Sequence, residues 1–445
     1  DEASPICGQC TRSRRYCARP QKSSRWLVYH QPSEPAAAVN GTAGRTRFPS
    51  PENPRAALEL PDVAWHFQNY ITELARWYDL GDALRQFEKK VPALALDEPL
   101  LFSAVIAVTA EHLCQTTGPK IARETAAFYH GHCVRRLIQL DGKSELLTNG
   151  VALAAACLLR SYEILDEDVD PNRHLRGAYS LASCEASIAG SPPDSLLAAG
   201  FWNYLREDIT FSLFEGCPLK MDVTESAAPS LANGHDQQLH SISLILGQII
   251  NKAFGNGFSA TDWQQLVGMV EVWLDELPPH VRPFSRGRSV TLSTVGELPS
   301  FWFLQDFHAR QYLLVSLSIL AVFALPDQLS VLPAVDASTG ITRHATNKED
   351  LLDAYALEIC GVAFTTNIPC VLVNSFGPIA YCGKFIRSEQ SRQEVIRRLA
   401  ACKRPVGWPV ERLFSSLKQS WAAAGHSEPR SSPLSKEAGP SPGSA

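Results

Sequence analysis

Cys7 and Cys10 stand two residues apart, and Cys17 follows after the six residues Thr11 to Tyr16. A Cys-x-x-Cys pair is compact enough to grip one tetrahedral zinc ion from two sides, and a third thiolate six residues on can return to it. Basic residues crowd the same stretch: Arg12, Arg14 and Arg15 lie before Cys17, and Arg19, Lys22 and Arg25 lie after it. Guanidinium groups held beside a thiolate-bound zinc are placed to donate to phosphate oxygens. The plain alternative is a flexible basic terminus with incidental cysteines. A redox dithiol is a weaker reading, because no strand–helix–strand pattern surrounds the pair.

The charge is divided along the chain in the same sense. Residues 1–50 hold eight Lys/Arg against three Asp/Glu, whereas the other 395 of the 445 residues hold 33 against 43. A basic head on an acidic body is the asymmetry expected when one end meets a polyanion. The nine remaining cysteines (114, 133, 157, 184, 217, 360, 370, 382 and 402) are scattered through apolar segments. Scattered thiols without a secretory leader read as buried cysteines in a reducing compartment, not as a disulfide framework. No basic segment followed by an apolar run opens the sequence, so secretion has no support. The longest strongly apolar stretch, Tyr312 to Leu325, is broken by Ser316 and Ser318. It falls short of the ~20 residues that cross a bilayer, and no membrane partner is expected.

The segment Asp1 to Cys17, DEASPICGQCTRSRRYC, resembles the second half of the fungal binuclear zinc cluster. That family joins two C-x-x-C-x(6)-C half-motifs by a short loop that often ends in Pro-x-Cys. The resemblance implies that Cys7 bridges two zinc ions, that Cys10 and Cys17 bind the second zinc only, and that Pro5 turns the joining loop. It further implies that the first half-motif, with three more cysteines and the helix that reads bases in the major groove, is missing, so that the chain is an N-terminally truncated product. The arginines that remain resemble the half that mostly touches phosphate, which gives affinity with little sequence choice. Independently, WHFQNYITELARWYDLGDALRQFEKKVPALALDEPLLFSAVIAVTAEHL, FYHGHCVRRLIQL, CLLRSYEIL, HLRGAYSL, FWNYLREDI and EICGVAFTTNIPCVLVNSFGPIAYCGKF, ending in GWPVERLFSSLKQSW, are similar to the helical fungal-specific transcription factor domain. The similarity covers most of residues 60–421. It implies a nuclear, zinc-dependent, DNA-binding regulator of RNA polymerase II genes that works with co-regulators. In that family the helical domain is regulatory, without catalysis, and in some members it responds to a small-molecule effector.

The elements that would carry these residues read as follows. Residues 1–22 form the partial zinc-cluster segment, and the Pro-, Ala-, Ser- and Gly-rich residues 23–61 form a linker. From Val63 the pattern is helical: Val63, Phe67, Tyr70, Ile71, Leu74, Trp77 and Tyr78 follow three-and-four spacing. Ala122 to Leu140 and Trp263 to Leu277 do the same, the latter closed by Pro278-Pro279. Pro99 to Ala110 and Val151 to Leu165 are apolar nearly all round, which places them inside a bundle. Further helices are expected around 197–215, 240–252, 304–325, 351–365, 390–402 and 408–421. Ser289 to Val295 is the best candidate for a strand. Two polar loops are expected at 280–300 and 326–350, and residues 422–445 form a disordered tail. The fold class is all-α: one large multi-helix domain over residues 62–421.

Other constellations are weaker. Asp166-Glu167-Asp168-Val169-Asp170 follows a buried helix, and clustered aspartates there could hold Mg²⁺ around a diphosphate, as in terpene synthases. The plain reading is a solvated helix end before Pro171. His130, His132 and Cys133 offer soft ligands, yet the helical pattern puts Cys133 in the apolar stripe, and His112 with Cys114 read the same way. Gly255-x-Gly257 lacks the preceding strand that a phosphate loop needs. G-x-S-x-G occurs only as Gly439-Pro440-Ser441-Pro442-Gly443, whose two prolines do not suit a strand-to-helix elbow, and no H-E-x-x-H occurs, so hydrolase chemistry is unsupported. Trp77, Trp202, Trp263, Trp273, Trp302, Trp408 and Trp421 read as core, some of them able to line an effector site between helices. A helical interaction module without DNA binding is the third reading.

Overall fold

The computed structural model describes residues 48–118, 120–140, 144–166, 195–221, 223, 235–255, 257–278, 281–291, 294–304, 308–333 and 347–425. The chain divides into two compact units, residues 1–47 and 48–445, and every described residue belongs to the second. That unit is all-α. Its helices are α1 (Pro54–Ala57), α2 (Pro61–Asn69), α3 (Gln86–Ala95), α4 (Pro99–Thr117), α5 (Lys120–Ile138), α6 (Glu145–Thr148), α7 (Val151–Leu165), α8 (Leu196–Glu215), α9 (His235–Ala253) and α10 (Ala260–Asp275). After a hairpin of β1 (Ser285–Thr291) and β2 (Thr294–Trp302) come α11 (Ala309–Phe323), α12 (Lys348–Thr365), α13 (Pro369–Cys382), α14 (Glu389–Val406) and α15 (Glu411–Gly425).

α4 and α7 occupy the centre. α4 starts with Pro99 at its first turn under the Glu98 side chain, which accepts from the Leu100 amide at 3.2 Å, and stops at left-handed Gly118. From Leu100 to Leu113 every side chain is buried. Its buried hydroxyls are satisfied within the helix: Ser103 donates to the Pro99 carbonyl and Thr109 to the Val105 carbonyl. α4 is also long and apolar enough to cross a membrane by length and composition, but α2, α3, α5, α7 and α14 pack around it. α7 begins at Gly150, where φ is +87° and a Cβ would sit 2.4 Å from the Leu197 nitrogen at the start of α8. Only glycine suits both the left-handed backbone and that approach.

The run from Val63 to Tyr78 is not one uniform helix. α2 widens to π pitch over Tyr70–Leu74 and then tightens to a 3₁₀ turn over Ala75–Trp77. The extra residue per turn rotates Ala75, Trp77 and Tyr78 inward together, and all three are buried. α3 follows from left-handed Arg85, and its first amides are held from behind. Asp79 accepts from Phe87 and Glu88 at 2.8 Å each, and Asp82 accepts from Gln86 at 2.8 Å.

The segment expected as a loop at 280–300 is instead the antiparallel hairpin, with Ser285 opposite Trp302, Arg286 opposite Phe301 and Thr291 opposite Thr294. The expected strand at 289–295 therefore straddles its turn. β2 lies on α12, where a Cβ on Gly361 would meet the Pro299 carbonyl at 2.3 Å. Phe301 donates its amide to Thr365 Oγ1 at 2.9 Å. The hairpin is tied further by charge: the buried Glu358 carboxylate of α12 pairs with Arg286 of β1 at 2.9 Å and with Arg310 of α11. Both cations lie over the Phe301 ring, 4.8 and 5.7 Å from its centroid.

Residues 48–61, expected as part of the linker, belong to the body instead. Phe48 stacks on Phe128 of α5 at 4.9 Å, and Glu52 pairs with His132 and Arg136, each at 2.9 Å. Arg55 meets Asp97 through two hydrogen bonds of 2.6 and 2.8 Å. α1 is thus part of the body, because aromatic and charged groups in a proline-rich stretch find partners on α5 and before α4. Residues 1–47 and the tail beyond 425 lie outside the described residues.

Gly150→Ala is expected to destabilise the body by about 3 kcal/mol, since it adds backbone strain to a clash with main chain; urea unfolding midpoints will measure it. Glu358→Ala leaves two arginines facing each other without their shared carboxylate and is expected to lose about 3 kcal/mol, read the same way.

Candidate functional site

The expected metal and phosphate residues of the head, Cys7, Cys10, Cys17, Arg12, Arg14, Arg15, Arg19 and Lys22, lie outside the described residues. So do Glu167, Asp168 and Asp170. Asp166 ends α7 and accepts a hydrogen bond from the Tyr162 hydroxyl at 3.4 Å. Among the described residues no three His, Cys, Asp or Glu side chains come close enough together to hold a metal ion.

The soft-ligand candidates on α4 and α5 disperse. His130 stacks on Tyr162 at 4.2 Å, whereas His132 sits between Ser103 Oγ at 2.8 Å and Glu52. Cys133 points its thiol at the Leu100 carbonyl, 3.5 Å away. His112 packs edge-on to Trp77. The Gly255-x-Gly257 step joins α9 to α10, which opens on a reciprocal cap between Ser259 and Asp262. Cys114, Cys133, Cys157, Cys217, Cys360, Cys370, Cys382 and Cys402 are reduced, not joined in disulfides. Burial pushes the Cys133, Cys157 and Cys360 thiols well up, Cys382 to about 12, and Cys402 and Cys114 to about 11.

Most of the tryptophans are structural ties. Trp263 donates to the Leu320 carbonyl at 2.9 Å, Trp273 to Ser241 Oγ at 2.9 Å, and Trp421 to the Gly383 carbonyl at 3.0 Å. Trp77 and Trp408 pack on each other, and Trp302 is exposed at the end of β2. Trp202 differs. Its ring stacks face to face on His240 with centroids 3.8 Å apart, and both residues are half-buried.

The His240 imidazole lies within electrostatic reach of the least expected group in the body, the buried guanidinium of Arg206 on α8. Desolvation first, and then the Arg206 charge, push His240 down to about 3. Arg206 donates from Nη2 to Asn203 Oδ1 at 2.9 Å and to the Tyr78 carbonyl at 3.5 Å, while Asn203 Nδ2 donates to that same carbonyl at 2.8 Å. The Nε and Nη1 donors of Arg206 have no partner. Two residues at the start of α11, His308 and Tyr312, stand one turn apart and feel the Arg206 charge. His308 Nδ1 bonds Gln311 Oε1 at 2.8 Å, and the Gln311 amide nitrogen donates to the Ile359 carbonyl and to Ser375. This amide orientation makes Nδ1 the protonated nitrogen and leaves His308 Nε2 as a bare acceptor, again without a partner. Tyr312 is fully buried with its hydroxyl unpartnered. Desolvation moves its phenol up to about 12 against the pull of Arg206.

Counter-charge near Arg206 is weak. Glu207, the next residue on α8, keeps 21% of its side chain exposed and approaches Arg160 at 4.0 Å. Desolvation nevertheless pushes its carboxyl up to about 8, so it is mostly protonated near neutral pH. Arg206 is therefore a buried cation with two open donors. The sequence reading missed it, because Arg206 sits in YLREDI, a string that looks like an ordinary solvated helix face. The only sequence signal is the neighbourhood, with apolar residues at 204, 205 and 209.

Burial keeps His112 and His308 neutral, each pushed down to about 4 mainly by desolvation. The unfolded chain takes up these protons near pH 6.5 and the folded chain does not, so their contribution is complete above pH 6.5 and is lost as the pH falls towards 4. The folded body is expected to lose about 2 kcal/mol per histidine between pH 6.5 and pH 5. His308→Gln should flatten the pH dependence of the urea midpoint by one histidine's share.

No protein-family model, curated protein or solved structure matches this chain. The functional reading therefore rests on the residues themselves.

Proposed function

We propose that this chain belongs to a zinc-cluster regulator of transcription, in which a basic zinc-folded head meets duplex DNA and the helical body governs the outcome. The observation that carries the reading is the Cys7-x-x-Cys10-x(6)-Cys17 spacing with Arg12, Arg14 and Arg15 inside it. The charge split between residues 1–50 and the rest supports it, since a basic head is drawn to a polyanion and an acidic body is not. An all-α body with one small hairpin fits the regulatory domain of that family in architecture.

In this reading Cys7 is the bridging thiolate, and Cys10 with Cys17 completes its half of the cluster. The zinc ions supply the fold of the head, for a segment this short has too few apolar residues to fold on its own. Three thiolates are half of a six-cysteine set, so the other half-motif is required for a finished cluster. Arg12, Arg14, Arg15, Arg19 and Lys22 supply phosphate contacts, each displacing about one condensed counterion. The proposed site of action is the nucleus, with co-regulators as partners of the body.

Two measurements test this. The chain as it stands should bind duplex DNA weakly, with affinity falling steeply as salt rises and with little difference between DNA sequences. Replacing Arg12, Arg14 and Arg15 together by alanine should lower the slope of log K against log salt by about 3. Tight, sequence-selective binding in a gel shift, or a slope indifferent to the three arginines, contradicts the reading. The coding sequence directly upstream should specify a C-x-x-C-x(6)-C half-motif.

A further inference from the structure

The body of this chain is acidic overall, but one stretch of it is strongly basic. From Lys384 to Gly425 there are nine Lys/Arg against three Asp/Glu, whereas the other 353 residues beyond position 50 hold 24 against 40. This stretch is α14 and α15 with the turn that leads into them. Two side-chain bridges set the helices side by side in opposite directions. Lys403, near the end of α14, donates to Glu411 at the start of α15 at 2.6 Å. Arg392, near the start of α14, lies over the ring of Trp421, near the end of α15, 5.3 Å from its centroid. The indole nitrogen of Trp421 in turn donates to the Gly383 carbonyl at 3.0 Å.

The cations lie on the outside of this pair. α14 buries Ser391, Val395, Leu399, Cys402 and Val406 along one stripe. Arg397 and Arg404, two turns apart, are exposed on the other side, and Gln390 continues their line. Lys403, Arg412 and Lys418 are exposed as well. The few carboxylates are already engaged: Glu394 is shared by Arg397 and Arg398 at 2.6 and 2.8 Å, and Glu411 takes Lys403. Arg404, Arg412 and Lys418 make no ion pair among the described residues, so the face keeps a surplus of positive charge.

What covers such a face has to be densely negative. Among the described residues no large apolar side chain from Lys384 onward is exposed, so the face offers a lipid surface no apolar anchor beside its charge and offers a protein partner no aromatic core. Duplex DNA carries one negative charge per ~1.7 Å of its axis. The 18 residues of α14 extend about 27 Å, alongside roughly 16 such charges. Exposed Gln390, Ser416 and Gln419 are the polar companions that phosphate and sugar oxygens accept from.

We propose that the α14–α15 face is a second duplex-DNA contact of this protein, made by the body to the phosphate backbone through Arg397, Arg404, Arg412 and Lys418. The choice of DNA as the polyanion rests on the regulator reading above, whereas the face owes nothing to the cysteines and arginines of the head. Its contacts go to phosphate, so it adds affinity without choosing a base sequence.

The test uses the whole chain. Arg404→Gln, Arg412→Gln and Lys418→Gln together remove three exposed cations and should leave the circular dichroism spectrum and Tm unchanged. They should lower the slope of log K against log salt for duplex DNA by about 3. The same drop is expected in a chain that already carries Arg12→Ala, Arg14→Ala and Arg15→Ala, so a head that does not touch DNA leaves this result standing. A control of equal charge, Lys89→Gln with Lys90→Gln and Arg282→Gln at exposed sites elsewhere on the body, should not move the slope. In the opposite direction, Gln390→Arg with Gln419→Arg should raise it by about 2. A slope that ignores the first triple, or that falls as far with the control triple, overturns the proposal. Binding to phosphatidylserine vesicles with none to duplex DNA overturns the choice of partner.

Discussion

Because α4 and α7 present apolar side chains on almost every side, the remaining helices have to be arranged as their enclosure. That constraint accounts for much else in the body. Hydroxyls on α4 turn back onto their own helix because no water reaches them. Glycines stand where helix approaches helix, as at Gly150 against α8 and at Gly377 of α13, where a Cβ would lie 3.0 Å from Thr210 Cα. Any charge admitted to such an interior needs a reason, and Arg206 and Glu358 are two contrasting cases.

They do so in opposite ways. Glu358 is shared by two arginines and backed by an aromatic ring, so its charge is over-answered, and the hairpin is held as a result. Arg206 is under-answered. Its one well-made side-chain bond, to Asn203, also fixes the Tyr78 carbonyl, just where the 3₁₀ turn hands over to the loop that caps α3. The Arg206 side chain thus touches the backbone of the N-terminal part of the body as well as its own helix α8.

The fold was legible wherever periodicity and caps agreed. Trp263, Leu266, Val267, Val270 and Trp273 are buried in α10 as their spacing requires, and Ser259 with Asp262 marks its start. The all-round apolar runs became the two central helices. Three elements were hidden for identifiable reasons. α3 takes its caps from Asp79 and Asp82 earlier in the chain and contains Pro92. α13 carries Gly377-Pro378 in mid-helix, a pair that reads as a break but serves close packing against α8. The hairpin contains Gly287 and Pro299, which suppress a strand pattern, and its pairing depends on α12, some sixty residues further on. The zinc-cluster residues were legible as spacing alone. The Arg206 centre was not, because a charge becomes unusual only once the helices around it have closed.

Each described thiol whose titration is shifted is shifted upward by its surroundings, and Cys133, Cys157, Cys360 and Cys382 are enclosed. Thiolate is the form that attacks an electrophile, and enclosure removes both the thiolate and the approach. An alkylating reagent therefore captures these sulfurs only when a helix lifts away. Their positions on α5, α7, α12 and α13 are spread across the body, so the order of capture is a built-in record of which part loosens first.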